Sequence, residues 1–139
     1  MRGLTHSAAI LVVLFSIFHP SAATINQDLA NTRWRLVAFG APNGHEPVLE
    51  GSSVTLLLGG DARATGSGGC NSYGGNYDVQ GDRITFTDLI ATMRACADTS
   101  YTRQEKRYFE ALGSATSYER AGESLRIVYG QGVLEFVKA

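Results

Sequence analysis

Histidine is the residue type that most often acts as a catalytic base, and this 139-residue chain contains only three histidines. His6 and His19 lie in the N-terminal segment described below, which leaves His45 as the candidate base in the rest of the chain. A catalytic triad would have to pair His45 with an ordinary serine, because the sequence contains no nucleophile-elbow motif. We therefore interpret His45 as a solvated loop histidine and expect no catalytic residue.

Carboxylates offer a second possible chemistry, since two of them can hydrolyse a glycosidic bond. Glu105 follows Thr102 at the spacing of a capping box, and the aspartates occur where turns are expected. Nothing in the spacing selects two members of a catalytic pair. The acidic candidates are Asp78, Asp82, Asp88, Glu105 and Glu110. We interpret them as structural, and we expect a non-enzymatic protein with no cofactor.

A phosphate or metal site also finds little support. The Gly-rich stretch at residues 66–77 lacks the Gly-Lys-Ser/Thr ending of a P-loop, and it does not open a helix as a dinucleotide-binding loop does. We interpret its glycines as serving a tight turn, with Asn71 hydrogen-bonding locally. The histidine count argues against a His-rich zinc site, so no metal is expected.

The two cysteines, Cys70 and Cys96, are predicted to form a disulfide. They lack the close spacing of a redox or metal-binding pair. A small domain in an oxidising compartment gains from a covalent link, and a loop of about 27 residues is worth roughly 3 to 4 kcal/mol in the chain-entropy model.

The first 23 residues have the pattern of a secretory signal peptide. Arg2 supplies a basic start, residues 8–18 are largely apolar, and small residues follow at 20–23. The apolar run is too short to span a bilayer, and no cysteine before Cys70 offers a lipid attachment point. We expect residues 1–23 to be removed and residues 24–139 to form one domain, periplasmic or secreted, with no transmembrane helix.

The overall charge is balanced, with 12 basic and 13 acidic residues and no block of like charge. A chain without a strong electrostatic field is not expected to bind nucleic acid or anionic lipid. We expect a monomer whose partner is an envelope or secreted protein that the sequence does not identify.

Short alternating or β-branched runs, broken by Gly, Asn and Asp, predict strands along most of the chain. The predicted strands cover residues 34–39, 54–58, 62–66, 77–79, 83–86, 89–93, 116–120, 125–129 and 133–137. The segment from Pro42 to Pro47 is predicted to be a loop.

One helix is predicted between Asp98 and Leu112, where Tyr108 and Phe109 share an apolar face with Leu112. Its capping-box spacing places the start near Thr102, and Gly113 suits the C-terminal cap. Eight to nine short strands with one helix, and no βαβ pattern, predict a mainly β (α+β) fold. The predicted architecture is a curved, barrel-like antiparallel sheet.

Aromatic residues allow two interpretations of such a barrel. Trp34, Tyr73, Tyr77 and Phe86 either fill its core or line the mouth of a cavity for a small hydrophobic ligand. The filled core is favoured because the side chains are large. Asn71, Tyr73 and Tyr77, near the Gly-rich loop, are a possible protein-binding surface.

The segment Gly69-Cys70-Asn71-Ser72-Tyr73-Gly74-Gly75-Asn76-Tyr77 resembles the GCN-x-Y-x-G-x-Y signature of the META (HslJ-like) domain family. Other family segments are matched in the same order by residues 34–36, by Thr92-Met93-Arg94-Ala95-Cys96, by Glu105 with Phe109 and Leu112 in the predicted helix, and by residues 134–136. The resemblance covers residues 30–138.

This resemblance implies a small, exported, barrel-like β domain with bonded cysteines. It also implies a role in the heat-shock or envelope stress response, motility or secretion, exerted through binding rather than through a known reaction. The alternative function is a carrier of small hydrophobic ligands in the barrel interior. The missing leader cysteine separates this chain from lipid-anchored members of the family.

Overall fold

A computed structural model describes residues 29–139, so the predicted signal peptide at residues 1–23 lies outside the described part of the chain. In chain order the elements are β1 (Thr32–Ala41), β2 (Gly44–Pro47), β3 (Thr55–Leu58), β4 (Arg63–Ser67), β5 (Ser72–Gln80), β6 (Arg83–Ala91), α1 (Thr99–Gly113), β7 (Ala115–Ala121), β8 (Ser124–Tyr129) and β9 (Gly132–Lys138). No helix within residues 29–139 is long and apolar enough to cross a membrane.

The strands form one antiparallel sheet in the order β2-β1-β3-β4-β5-β6-β7-β8-β9, and a further pairing of β1 with β9 closes it. Strands β1 and β3–β9 therefore make a closed barrel of eight strands, and β2 extends the sheet outside it. Strands β2 and β3 both pair with the same edge of β1, because the first half of β1 pairs with β3 and its second half pairs with β2. The predicted mainly β, barrel-like fold with one helix is confirmed.

Side chains from alternate strand positions fill the barrel. Trp34 and Leu36 on β1 point inward between exposed arginines, which is the alternation that a strand with one buried face requires. The largest fully buried side chains are Trp34, Tyr108, Phe39, Phe136, Leu29, Leu36, Leu56, Leu58, Ile84, Leu112, Leu125 and Ile127. The helix contributes to the same core through Tyr108 and Leu112, so barrel and helix share one hydrophobic interior.

The seam between β6 and β7 is the most weakly paired part of the barrel. Its ladder contains the single pair Arg83 and Ser117, and Tyr118 N donates to Asp82 O at 2.9 Å beside it. Beyond this point the two strands separate, and α1 packs against β6. The helix therefore covers a part of the barrel wall that strands alone leave open.

The helix begins three residues earlier than predicted. Asp98 is the N-cap, and its Oδ1 accepts a hydrogen bond from Ser100 N at 2.7 Å. The hydroxyl and N–H of Ser100 donate to this carboxylate and hold the pKa of Asp98 below its usual range. The predicted capping box of Thr102 and Glu105 is wrong, because Glu105 faces the interior.

The other end of the helix and two strands also differ from the prediction. Gly113 is the last helical residue and Ser114 is the cap. Residues 44–47 form strand β2, although the whole segment from Pro42 to Pro47 is predicted to be a loop. Residues 83–91 form one continuous strand where two were predicted. A bulge opposite Gly75 and a positive φ at Asp88 bend that strand without ending it.

Candidate functional site

Glu105 on α1 is a buried carboxylate that binds the Gly-rich loop. Its Oε2 accepts hydrogen bonds from Cys70 N at 2.8 Å and Asn71 N at 2.7 Å, and its Oε1 accepts one from Asn71 Nδ2. Only 6% of the residue is exposed. A buried carboxylate with three N–H donors is well compensated for the loss of water, so Glu105 holds the loop in a fixed position.

Asn71 extends this network to the segment between β6 and α1. Its Oδ1 accepts hydrogen bonds from Thr92 Oγ1 at 2.9 Å and Arg94 N at 2.6 Å. Its Nδ2 also donates to Arg94 O at 3.2 Å. A single side chain thus connects the β4–β5 loop, the helix and residues 92–94.

Cys70 and Cys96 lie at disulfide distance, with Cα atoms 5.5 Å apart, in agreement with the predicted pairing. The Glu105 carboxylate lies within 4.8 Å of both sulfurs. These three groups include ligand types that metals bind, but a metal needs thiolates and the sulfurs are bonded to each other. The disulfide therefore adds a covalent link between the two segments that Asn71 already joins.

Gly68 explains why the loop can approach the helix so closely. A Cβ at this position would lie 2.5 Å from Phe109 Cζ and 2.7 Å from Glu105 Oε2. Both distances are shorter than real carbon contacts, so a side chain would have to displace Glu105. The glycine is required by the close approach of the helix.

A buried pair of tyrosine hydroxyls lies in the same region of the core. Tyr73 donates to Thr55 O at 2.9 Å, so the 2.7 Å contact between the Tyr73 and Tyr108 hydroxyls has Tyr108 as its donor. Burial raises the pKa of both tyrosines well above the usual value. Their rings meet edge to face with centroids 5.8 Å apart, which joins β5 to the helix.

The predicted binding surface at Asn71, Tyr73 and Tyr77 is largely internal. Asn71 and Tyr73 are buried, because β5 begins at Ser72 and the strand directs Tyr73 into the core. Tyr77 is half-buried and donates to Gly59 O at 2.6 Å. Asn71 and Tyr73 therefore hold other segments in place and offer a partner little surface.

Two apolar side chains that the sequence analysis did not select are the most exposed of the large hydrophobic residues. Ile90 is 76% exposed and Met93 is 99% exposed. Both lie at or just after the end of β6, beside the exposed Arg94. The sequence showed only an apolar run over residues 89–93, and it did not indicate which members face outward.

His45 lies on β2 and not in a loop, and its side chain is only 24% exposed. Its Nδ1 is 3.5 Å from Glu135 Oε1, an oxygen that Arg126 Nε also contacts at 3.2 Å. The interpretation of His45 as a solvated loop histidine is therefore wrong. The pairing of β2 with β1 brings it against the barrel wall.

The acidic residues considered for hydrolysis are dispersed among local contacts. Asp88 accepts from Asn76 Nδ2 at 3.1 Å, Asp78 accepts from Gln80 Nε2 at 3.1 Å, and Glu110 lies 3.9 Å from Lys106 Nζ on the helix surface. The backbone oxygen of Asp82 accepts a hydrogen bond from β7. Glu105 alone among them is buried, and it already accepts three hydrogen bonds.

The aromatic residues fill the barrel, as the favoured interpretation predicted. Trp34, Tyr73 and Phe86 belong to the buried core, and Tyr77 packs against it. A depression of about 520 Å³ between described residues lies on the outer side of β3 and β4, where Asn31, Leu57 and Arg63 contribute to its lining. It is an open surface feature and not a ligand chamber inside the barrel.

A family model for the META domain matches residues 27–139, which include the whole barrel, the helix and the Cys70–Asn71 loop. The chain belongs to the META domain family. Two buried side chains of the signature join the loop and β5 to the helix of this META domain, Asn71 through Glu105 and Tyr73 through Tyr108.

Solved structures share the fold of this META domain. A protein from Burkholderia xenovorans, determined by NMR, has 26% identity and a TM-score of 0.68, and the match covers 100% of this chain and 99% of that one. A DUF4847-family protein from Bacteroides vulgatus has 15% identity and a TM-score of 0.57, with 78% and 93% of the two chains covered. The second likeness concerns the fold alone. No curated protein matches the chain significantly.

Proposed function

We propose that this META domain is a non-enzymatic protein that acts by binding, in the periplasm or outside the cell, in envelope stress response, motility or secretion. The binding site is the β6-end surface, defined as Ile90, Met93 and Arg94. The partner is an envelope or secreted protein that presents an apolar side chain next to a carboxylate. The exposed side chains of Ile90 and Met93 favour an apolar group on the partner, and the exposed Arg94 cation favours a carboxylate beside it.

The exposure of Ile90 and Met93 is the observation that carries this proposal. Large apolar side chains are enriched in the buried parts of protein interfaces, and methionine adapts to partners of different shape. The residues on both sides of Met93 are hydrogen-bonded to Asn71. A partner therefore meets a pre-ordered surface, and binding costs less conformational entropy.

The alternative function, a carrier of small hydrophobic ligands, finds less support. Such a carrier needs an enclosed cavity, typically a few hundred Å³ in volume. In residues 29–139 the barrel axis is occupied by fully buried side chains, among them Trp34, Phe39 and Phe136. A carrier predicts a higher melting temperature with lipids or hydrophobic dyes, whereas surface binding to a protein predicts no change.

The proposed lack of catalysis agrees with the state of the two best candidate residues. Both carboxylate oxygens of Glu105 already accept hydrogen bonds from the Gly-rich loop. His45 contacts the Glu135 carboxylate on the barrel wall. Export is supported by the cysteine pair at disulfide distance, because disulfides persist in oxidising compartments. Protein recovered from the periplasm or medium should begin at Thr24.

Site-specific cross-linking tests the binding proposal. A photoreactive amino acid is placed at position 93 of the full chain expressed in its own host, and cross-linked products are identified by mass spectrometry. The matched probe is placed at Arg35, which is exposed on β1, four strands from β6 around the barrel. We expect one product at position 93 that is absent at position 35, with the cross-linked partner residue next to an acidic side chain.

Substitution then tests whether this contact supplies binding energy. Met93→Asp introduces a charge into the surface and should reduce capture by at least about tenfold. Arg35→Ala changes the net charge by the same amount and should leave capture unchanged. Equal capture by Met93→Asp and the parent, or equal loss in both variants, contradicts the proposal.

A further inference from the structure

Met93 combines full exposure with a fixed backbone. Its side chain is 99% exposed, so the thioether sulfur is open to solvent. Thr92 Oγ1 and Arg94 N both donate to Asn71 Oδ1, and Arg94 O accepts from Asn71 Nδ2. Exposure here does not result from fraying, because the residues before and after Met93 are both held by one buried amide.

Met93 is also the only methionine after the initiating residue, since the chain contains two methionines and the other is Met1. The sulfurs of Cys70 and Cys96 are bonded to each other, so residues 29–139 contain no free thiol. Trp34, the single tryptophan, is fully buried. Within residues 29–139, the cysteine and tryptophan side chains that would compete for oxidants are therefore either bonded or buried.

We propose that Met93 is a modification site that accepts one oxygen atom from a two-electron oxidant, of the peroxide or hypohalous acid class. With hydrogen peroxide, a lone pair of the sulfur attacks one peroxide oxygen and the O–O bond breaks. The released hydroxide takes up the remaining proton and leaves as water. The sulfur is oxidised by two electrons to the sulfoxide, and the peroxide is reduced.

Oxidation of Met93 leaves the packing of the barrel core unchanged, but it alters the chemistry of the β6-end surface. A side chain without packing contacts gains an oxygen at no cost to the core, whereas a buried methionine sulfoxide disrupts packing. The β6-end surface, in contrast, loses the apolar character of Met93 when its thioether becomes a polar sulfoxide. The modification therefore switches off partner binding, a consequence that depends on the proposed function, although the site itself does not.

Peptide mapping by mass spectrometry tests the site. The disulfide-bonded protein is treated with hydrogen peroxide, and the rate of oxygen uptake at Met93 is compared with that of N-acetylmethionine amide. We expect the two rates to agree within about threefold, with unchanged circular dichroism and melting temperature. A rate more than about tenfold below that of the free amide, or a loss of folded protein on oxidation, overturns the proposal.

A relocated methionine supplies the matched control. The variant Met93→Leu with Leu134→Met has the same composition, but it carries its thioether at a fully buried position of β9. Leucine and methionine have similar volumes, so this variant should fold. We expect its oxygen uptake to be at least about tenfold slower than that of the parent. Equal rates in parent and variant contradict a role for the exposed position.

Partner capture distinguishes this inference from the proposed function. If the cross-linked product is captured by reduced Met93 and lost after oxidation, both stand, and treatment with a methionine sulfoxide reductase should restore capture. Capture that is equal before and after oxidation overturns the switch and leaves the binding function. Oxidation at Met93 without any specific capture overturns the binding function and leaves the modification site.

Discussion

The side-chain amide of Asn71 donates a hydrogen bond to the carboxylate of Glu105, 34 residues further along the chain. This contact joins the signature loop of the META domain to the helix, and the same amide group also hydrogen-bonds to Thr92 and Arg94. The loop, the helix and the β6-end surface therefore depend on one side chain. Changes at Asn71 should affect both stability and partner binding.

Asn71→Asp should destabilise the protein by about 2 to 4 kcal/mol. The substitution keeps the shape, but it places a carboxylate oxygen where Nδ2 faces Glu105, so two buried negative charges meet. Urea unfolding at neutral pH measures the loss. Asn43→Asp, at an exposed turn, should change the free energy of unfolding by less than about 0.5 kcal/mol. A similar effect in both variants would show that the buried contact has no special weight.

Gly68→Ala should cost about 1 to 3 kcal/mol, because the added methyl group meets Phe109 and the hydrogen-bonded Glu105 at less than a van der Waals distance. Gly44→Ala is the matched control, since a Cβ at that position meets nothing within 4 Å. Thermal unfolding of the two variants compares the melting temperatures after the same added methyl group at a crowded site and at an uncrowded one. Equal melting temperatures would refute the close-approach explanation.

The sequence predicted the overall fold well because strand alternation and turn residues are local signals. It also predicted the cysteine pair, because the small size of the domain and the expected oxidising compartment favour a disulfide whatever the positions of the two cysteines in the sequence. It failed for Glu105, whose spacing from Thr102 is that of a capping box, because a tertiary contact with Asn71 overrides this local option. It also missed the burial of Asn71, because that burial results from the same contact with Glu105, and no local sequence pattern indicates a tertiary contact.

Strand β2 and the exposed apolar residues were missed for a different reason. Pro47 argues against a central strand, but β2 has only one neighbour, and an edge strand tolerates proline. Ile90 and Met93 lie in an apolar run that alone suggests burial. Ile90 faces outward because the bulge near Asp88 shifts the alternation of β6, whereas Met93 lies beyond the end of that strand.

The buried tyrosine pair predicts a loss of stability at alkaline pH. Burial raises the pKa of Tyr73 and Tyr108 above the ordinary value of about 10, so the folded state retains protons that the unfolded state releases. The contribution of these two tyrosines to the free energy of unfolding is therefore fully present below about pH 10. Above that pH it falls by about 1.4 kcal/mol per pH unit for each tyrosine. Urea unfolding between pH 9 and 11, a range set by that ordinary value, measures the slope.

Tyr108→Phe removes one of these titrating groups and should reduce that slope by about 1.4 kcal/mol per pH unit. Its cost at neutral pH should be small, because Tyr73 still donates to Thr55 O. Tyr73→Phe should cost more at neutral pH, since it leaves both Tyr108 and the Thr55 carbonyl without this partner. The same alkaline slope in Tyr108→Phe and the parent would contradict the assignment.

Loss of the disulfide should lower the free energy of unfolding by about 3 to 4 kcal/mol, as expected for a loop of this length. The comparison is between the oxidised protein and the variant in which Cys70→Ser and Cys96→Ser are combined. Reductant should destabilise the parent toward the value of the variant and leave the variant unchanged. An equal response of both proteins to reductant would show that the effect does not come from this bond.

The pairing of β1 with β9 has a consequence for how the chain acquires its structure. The partners Trp34 and Lys138 are supplied by opposite ends of the folded domain, so the ring of strands cannot be completed until synthesis has passed residue 138. Before that moment β1 lacks one neighbour along most of its length, and closing so long a stretch of chain is slow. The nascent polypeptide therefore lacks a closed barrel at least until residue 138 has been synthesised.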